Sequence, residues 1–253
     1  MSTIYFPRPL AVNAGDIAAA VQRFFPKFEG QVNAPAAGGP KDNLLRVGDT
    51  IIAVLNFDVP QPPDTMEVNF KVNFLWQEAR QVLSEHKAHT VLAIMKEPKE
   101  FAETKSACTA LAMAALALAS RKETIALQWA PSRALLHGQA IFHEIEDIQA
   151  GRLPLDLWLA YSPWAERETG KIGLMTVGLE PFVGREIEMV PRKESLGSSV
   201  QRAMAMAEYL LTKGPVVKDG DTVGYSATEH LKVTYFDEGE SHFMRVSTEE
   251  ISR

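Results

Sequence analysis

The fold is decided by two short segments, Thr176-Val-Gly-Leu-Glu-Pro-Phe182 and Gly184-Arg-Glu-Ile-Glu-Met-Val190, which precede the most regular helical pattern of the sequence. That pattern spans residues 198–213, where apolar side chains recur every three or four positions, as on the buried side of an amphipathic helix. Gly214 and Pro215 predict its end, because glycine accepts a left-handed cap and proline cannot continue the helical hydrogen bonds. We expect this helix to bury Val200, Met204, Ala207 and Leu211.

A turn is predicted after the helix, at Asp219-Gly-Asp-Thr-Val-Gly224. Aspartate and glycine favour turns because the aspartate side chain bonds nearby backbone groups and glycine accepts a positive φ. We therefore interpret this segment as a structural turn rather than a catalytic loop, and we expect a positive φ at Gly220.

The same segments resemble the domain-of-unknown-function 4261 family over roughly residues 176–247. The resemblance is carried by Gly178-Leu-Glu180, Glu186-Ile-Glu188, the helical Ala207-Glu-Tyr-Leu-Leu211 and the turn at residues 219–224. It implies a bacterial α+β domain with no settled activity. The association of some relatives with secretion and toxin loci implies an interaction or immunity role.

The composition indicates a protein with a substantial core and an acidic surface. The chain has 253 residues, 46% of them hydrophobic, and a net charge of −6 without any lysine- or arginine-rich run, which argues against nucleic acid or an anionic membrane as the partner. The only cysteine is Cys108, so no intrachain disulfide is possible and a reducing compartment fits best.

The sequence also predicts a cytoplasmic location. The N-terminus lacks the pattern of a signal peptide. The most apolar stretch, residues 107–119, is shorter than the roughly 20 residues that a membrane-spanning helix needs. We interpret it as a buried helix.

The order of predicted elements indicates an α+β fold, with helices packed on a mostly antiparallel sheet. Residues 1–150 alternate helices and strands, whereas residues 151–253 are rich in strands, so we expect two lobes with a boundary near residue 151. Two related α+β lobes would also produce this order. Residues 4–12 are predicted as a strand that Pro7 and Pro9 either confine to a sheet edge or interrupt. Residues 49–58 are predicted as a strand too densely apolar to have an exposed face. The other predicted elements that bear on the fold are helices at 73–87 and 132–149 and a strand at 155–161.

The sequence has no glycine-rich phosphate loop, no Gly-x-Ser-x-Gly and no His-Glu-x-x-His, and we expect no cofactor, no metal and no catalytic residues. The histidine pair His86 and His89 and the pair His143 and Asp147 have spacings that permit metal binding, but such spacings are common. Glu186 and Glu188 are expected on the same side of a strand, where two carboxylates repel each other unless water or a cation intervenes.

Two places are predicted to bind a protein partner. Tyr161 and Trp164 lie in a segment that we interpret as a polar loop, where a tryptophan is a typical interface anchor. Glu144, Glu146 and Asp147 are carboxylates on a predicted helix, which would attract a basic partner if they are exposed.

Three functions therefore remain open at this level. The first is a non-enzymatic interaction protein, for example an immunity or accessory factor of a toxin or secretion system. The second is an enzyme, such as a hydrolase, whose site is assembled only by the fold. The third is a small-molecule-binding module, which an apolar pocket without histidines would favour.

Overall fold

The computed structural model describes residues 1–34, 43–73, 76–167, 169–190, 196–224 and 230–248. It confirms the α+β prediction, because helices pack on two sheets in which most strand pairs are antiparallel. The chain divides into two compact units, Met1–Trp158 and Leu159–Arg253.

The first unit is built on one antiparallel sheet with the strand order β2-β3-β4-β5-β1-β6-β7. Its strands are β1 (Ser2–Phe6), β2 (Val32–Asn33), β3 (Leu44–Val47), β4 (Thr50–Phe57), β5 (Ala88–Ile94), β6 (Ala126–Trp129) and β7 (Ala134–Leu136). Its helices are α1 (Ala14–Phe24), α2 (Pro63–Val72), α3 (Ala79–Ser84), α4 (Phe101–Ala119), α5 (Gln139–Gln149) and α6 (Leu155–Trp158).

Strand β1 is central in this sheet, so the edge position is wrong, whereas the interruption of the strand by the prolines is confirmed. It pairs with β5 on one side and β6 on the other, and it ends at Phe6. Because Pro7 and Pro9 follow the last paired residue, they remove no hydrogen bond from the sheet. The prolines end the strand rather than exclude it from the centre.

Three other boundaries differ from the predictions. Of the described residues within the predicted helix at 73–87, only those of α3 form a helix, and a separate helix, α2, precedes them. The predicted helix at 132–149 is β7 followed by α5, divided at Gly138, which has a φ of 52°. The predicted strand at 155–161 begins as α6.

The two compact units divide after Trp158, whereas the sequence placed the lobe boundary near residue 151. Helix α6 packs on β7 and α5 of the first unit. The hydroxyl of Ser132 also donates a hydrogen bond to the carbonyl of Leu157 at 2.7 Å. These contacts attach residues 151–158 to the first unit.

Helix α4 is the core helix of the first unit, and with α1 it covers one face of the sheet. Every residue from Ala110 to Ala119 is buried. Alanine side chains allow this helix to lie close to the strands. Among the described residues α4 alone is long and apolar enough to cross a membrane, and most of its apolar window is buried inside the protein.

The other face of the same sheet is only half covered. Helices α2 and α3 pack over β1, β6 and β7, where they form a cluster of buried side chains: Tyr5, Met66, Ala79, Leu83, Ala126 and Leu135. Over β4, in contrast, Ile51, Leu55 and Phe57 are 38%, 40% and 40% exposed. The expectation that the strand at residues 49–58 has no exposed face is therefore wrong.

The second unit is built on a mixed sheet with the strand order β11-β12-β13-β10-β9-β8. Its strands are β8 (Ala160–Ala165), β9 (Ile172–Val177), β10 (Glu186–Met189), β11 (Thr222–Val223), β12 (Leu231–Glu238) and β13 (Ser241–Thr248). Its helices are α7 (Glu180–Val183) and α8 (Leu196–Lys213). Strands β10 and β13 are parallel, whereas the other described pairs of this sheet are antiparallel.

Helix α8 packs on β9 and β10 with a buried face that differs from the predicted one. Met204 and Val200 are only half-buried. The buried side chains of α8 are Ser199, Ala203, Met206, Ala207, Leu210 and Leu211. The helix is thus rotated so that Leu210, rather than Met204, lies near the centre of the contact.

We predict that Leu210→Ala destabilises the protein by about 2–5 kcal/mol, because it removes a fully buried side chain and leaves a cavity. Met204→Ala, at a half-buried position of the same helix, should cost clearly less. Urea unfolding of both variants measures the difference. Equal losses would contradict the buried face described for α8.

Candidate functional site

Tyr161 and Trp164 lie on the edge strand β8 and not in a loop. They are three residues apart, so they point to opposite faces of the sheet and cannot form one anchor. The indole of Trp164 packs over Gly173 on β9 so closely that a Cβ there would collide with it. Trp164 therefore fills the space that the absence of a side chain at Gly173 leaves on its own sheet.

The three predicted carboxylates of α5 occupy different environments. Glu146 is exposed, whereas Glu144 is only 1% exposed. Asp147 is bound by Arg152, whose Nε donates to Oδ1 at 2.9 Å. Because one of the three is buried and another is neutralised, they do not form a single acidic surface. They also belong to the first unit, whereas Tyr161 and Trp164 belong to the second.

Glu144 is a buried carboxyl group in an unfavourable environment. Burial, followed by repulsion from Asp156 and Asp147, raises its pKa to about 8. The backbone N–H groups of Asp156 and Leu157 donate to it and oppose that rise. Its Oε2 atom has no hydrogen-bond partner among the described residues. Glu144 thus accepts hydrogen bonds from the first turn of α6, although its burial and the nearby aspartates disfavour its ionised form.

The histidine pair His86 and His89 is engaged within the fold. The Nδ1 of His86 donates to the carbonyl of Leu83 at 2.5 Å, and its Nε2 accepts from the N–H of Gln61 at 2.8 Å. His89 stacks on Phe57 with ring centroids 4.8 Å apart, and burial lowers its pKa. Both ring nitrogens of His86 are therefore occupied by backbone groups.

The second predicted pair, His143 and Asp147, lies on α5, where His143 is exposed and Asp147 binds Arg152. Within the described parts of the chain, no three His, Cys, Asp or Glu side chains are grouped to hold a metal ion. His137 stacks on Trp76, with ring centroids 3.8 Å apart. The buried His86 thus makes backbone contacts, whereas the exposed His137 makes an aromatic one.

The carboxyl group of Glu186 accepts more hydrogen bonds than any other side chain among the described residues of the second unit. Its carboxyl oxygens accept from the backbone N–H groups of Gly178 at 2.7 Å, Leu179 at 3.0 Å and Glu180 at 3.1 Å. The hydroxyl of Thr176 donates to it at 2.7 Å and itself accepts from the N–H of Ile187. These donors lie on β9 and at the beginning of α7, so one side chain of β10 joins three elements.

Glycine is required at position 178 for this arrangement, because its φ of 107° lies in the region that other residues avoid. That conformation helps to direct three successive N–H groups at Glu186. Burial raises the pKa of Glu186, and the hydrogen bonds from Thr176 and the backbone oppose the rise.

Glu188 has a separate partner, so it does not repel Glu186 without compensation. The Nε of Arg245 on β13 donates to its Oε2 at 2.5 Å. Arg245 lies directly beside Glu188 in the parallel strand pair. The cation that the sequence analysis required near these carboxylates is therefore a residue of the same sheet.

The turn at residues 219–224 stabilises the outer side of β12. Asp221 accepts from the N–H of Lys218 at 2.7 Å, and Asp219 accepts from the N–H of Tyr235 at 2.8 Å. The predicted positive φ of Gly220 is confirmed, with a value of 84°. The turn therefore satisfies backbone groups of a strand that β11 covers only at its beginning.

Residues 175–246 match a family described as a domain of unknown function, DUF4261. This DUF4261 segment covers under a third of the chain and coincides with the resemblance seen in the sequence. It contains the Glu186 and Glu188 contacts and the turn at 219–224. No curated protein and no solved structure matches the chain.

The DUF4261 segment also contains a groove of about 510 Å³ between α8 and β11–β12. Its wall is mostly apolar, and its rim carries Tyr209 and Val216, which are 50% and 46% exposed. Asp221 contributes a carboxylate to the lining, and no histidine is among the described lining residues. This groove is the candidate small-molecule site.

The candidate protein-binding site is the uncovered part of the first sheet, which we call the open sheet face. Cross-strand partners share a face, and this face is formed by Leu44 and Arg46 of β3, Ile51, Ala53, Leu55 and Phe57 of β4, and His89, Val91 and Ala93 of β5. Sequence reasoning identified the apolar residues of β4 but expected them to be covered. The sequence signal for this surface was the run of apolar residues in β4, of which the described helices leave Ile51, Leu55 and Phe57 exposed.

We predict that Glu186→Gln destabilises the second unit by about 3 kcal/mol, because the amide NH₂ would face groups that also donate. Glu180→Gln is the matched control, since the Glu180 side chain makes no described hydrogen bond while its backbone contributes to the site. Thermal unfolding followed by circular dichroism compares the two. If both variants melt alike, the Glu186 contacts do not stabilise the fold.

We predict a pH dependence from Glu144, whose pKa in the folded protein is about 8 against an ordinary value of 4.5. Between these values the folded state binds a proton that the unfolded state has lost, so stability falls as pH rises from 4.5 to 8. Relative to Glu144→Gln, the parent should lose up to about 4 kcal/mol across this range and change little above it.

The measurement is urea unfolding of the parent and Glu144→Gln at several pH values. Glutamine keeps an oxygen that can accept from the N–H groups of Asp156 and Leu157. The control is Glu146→Gln, at an exposed position of the same helix, which should not remove the slope. A difference between parent and Glu144→Gln that is independent of pH would contradict the assignment.

Proposed function

We propose that the protein is a non-enzymatic interaction protein that binds a protein partner through the open sheet face. The observation that carries the proposal is the exposure of Ile51, Leu55 and Phe57 on one side of β4. These three side chains lie on one face of β4 together with Ala53, which is buried between Ile51 and Leu55. Completing the burial of each would contribute roughly 1 kcal/mol.

The neighbouring polar groups support binding by contact rather than chemistry. His86 is occupied by backbone groups at both nitrogens, and His89 lies flat on Phe57. The open sheet face thus combines a large apolar area with a stacked aromatic pair at one end. Aromatic side chains of this kind are frequent at the centres of protein interfaces.

The biological setting is also a proposal. The resemblance of the DUF4261 segment favours an immunity or accessory factor of a bacterial toxin or secretion system, acting in the cytoplasm. In such a role the second unit would supply a family-specific scaffold, while the first unit would supply the partner surface.

A small-molecule-binding module is the second candidate, because the groove beside α8 has a suitable volume and an apolar wall. Its lining includes one carboxylate and one phenol, from Asp221 and Tyr209. An apolar pocket without histidines favours binding over hydrolysis.

The proposal predicts that Leu55→Lys abolishes capture of the partner while the protein stays folded, since Leu55 is 40% exposed. Phe142→Lys is the control, because Phe142 is 39% exposed on α5, which packs on α4 at the other face of the sheet. The tagged full chain and both variants are used to capture proteins from a lysate of the source organism, and bound proteins are identified by mass spectrometry. A partner bound equally by all three would exclude this surface.

A further inference from the structure

The open sheet face has the dimensions of one helix. It is three strands wide, and from Ile51 to Phe57 it spans seven residues, which are separated by six steps along the strand. With strands ~4.8 Å apart and a rise of ~3.3 Å per residue, it measures about 14 Å by 20 Å. An α-helix is about 10–12 Å across and rises 1.5 Å per residue, so one helix of about 13 residues would cover it.

The charge of the face argues against a second copy of this chain as the occupant. Its residues include Arg46 and no carboxylate, so two copies stacked through this face would leave both arginines without an acidic partner there.

The covered half of the face shows which kind of element this sheet accepts. Helices α2 and α3 lie on β1, β6 and β7, with Met66 and Leu83 in contact with Tyr5 and Ala126. The open sheet face begins at the next strand, β5, on the same side of the sheet. An additional helix would continue the layer that α2 and α3 form.

One charge lies on the open sheet face. Arg46 is opposite Ile51, is half-buried, and pairs with no carboxylate among the described residues. The other titratable group is His89, at the opposite end beside Phe57, and its pKa is lowered by burial, so it is neutral at pH 7. A carboxylate on the partner would therefore find one complementary group, at the Ile51 end.

We infer that the open sheet face binds one amphipathic helix of a partner protein, about 13 residues long, with a carboxylate at the end that lies over Arg46. This inference rests on the proposed function and specifies its ligand. The apolar side of that helix, with residues at i, i+3, i+4 and i+7, packs on Ile51, Leu55 and Phe57.

The test uses the full chain and a displayed library of stapled helical peptides of about 16 residues, which is long enough to cover the face. Enriched peptides should carry the helical apolar spacing and a terminal Glu or Asp. Their binding should weaken at least about tenfold in Leu55→Lys and stay unchanged in Phe142→Lys. In Arg46→Glu, a peptide with its Glu replaced by Lys should bind better than the original.

Three results would overturn the inference: no enrichment, enrichment of sequences that alternate with period two, or binding that Leu55→Lys leaves intact. Sedimentation that shows a dimer lost in Leu55→Lys would assign the face to a second copy. If lysate capture still depends on Leu55 in any of these cases, the proposed function survives and only the helix is excluded. If capture is also independent of Leu55, both fail.

Discussion

The second unit depends on the hydrogen bonds that surround the carboxyl group of Glu186. A buried carboxyl is costly unless donors replace the water that it loses. Here Thr176 supplies a hydroxyl, and the chain at the start of α7 supplies three backbone N–H groups. Those N–H groups belong to a helix end that would otherwise need a cap. The same hydrogen bonds thus compensate the buried carboxyl group and pair the N–H groups at the start of α7, and they join β9, α7 and β10.

This arrangement explains why the DUF4261 segment has recognisable motifs but no evident chemistry. Gly178-Leu-Glu180 provides the donors and Glu186 the acceptor, while Glu188 is neutralised by Arg245. Asp219 and Asp221 bind backbone groups of the turn and of β12. Each motif carboxylate except that of Glu180 has a described partner within the unit, so these residues account for the stability of the fold rather than for a reaction.

The sheet of the first unit is covered by helices on one face, whereas its other face is only half covered. Helices α4 and α1 cover the first face, and the small side chains of α4 permit close packing. On the second face α2 and α3 lie over β1, β6 and β7, and Ile51, Leu55 and Phe57 of β4 stay exposed. The proposed function follows from this asymmetry. A surface that is costly to expose is the one that gains most from a partner.

Sequence patterns predicted the elements whose signals are local. The α+β class, the helix α8, the positive φ of Gly220 and the buried nature of residues 107–119 all follow from periodicity and turn chemistry. Gly138 illustrates the limit, since one glycine separates a strand from a helix within a continuous apolar pattern. Helix α2 was not predicted, because Pro60, Pro62 and Pro63, which precede or begin it, are equally typical of a loop.

The candidate sites were harder to predict, because burial is a property of the surroundings and not of a residue. Glu144 and Glu146 are equivalent in the sequence, yet one is buried beneath α6 and the other is in solvent. Trp164 has the sequence context of a loop anchor, but Gly173 on the adjacent strand provides the space into which it folds.

The sequence by itself determined the class of the fold, the secondary structure around α8 and the turn at residues 219–224, because these depend on the spacing of apolar side chains and on backbone preferences. Only the tertiary structure decided which carboxylates are paired, which strand is central and which side of β4 stays exposed. Those properties depend on residues that are distant in the chain, such as Glu188 and Arg245, and their contact is set by sheet register rather than by local sequence.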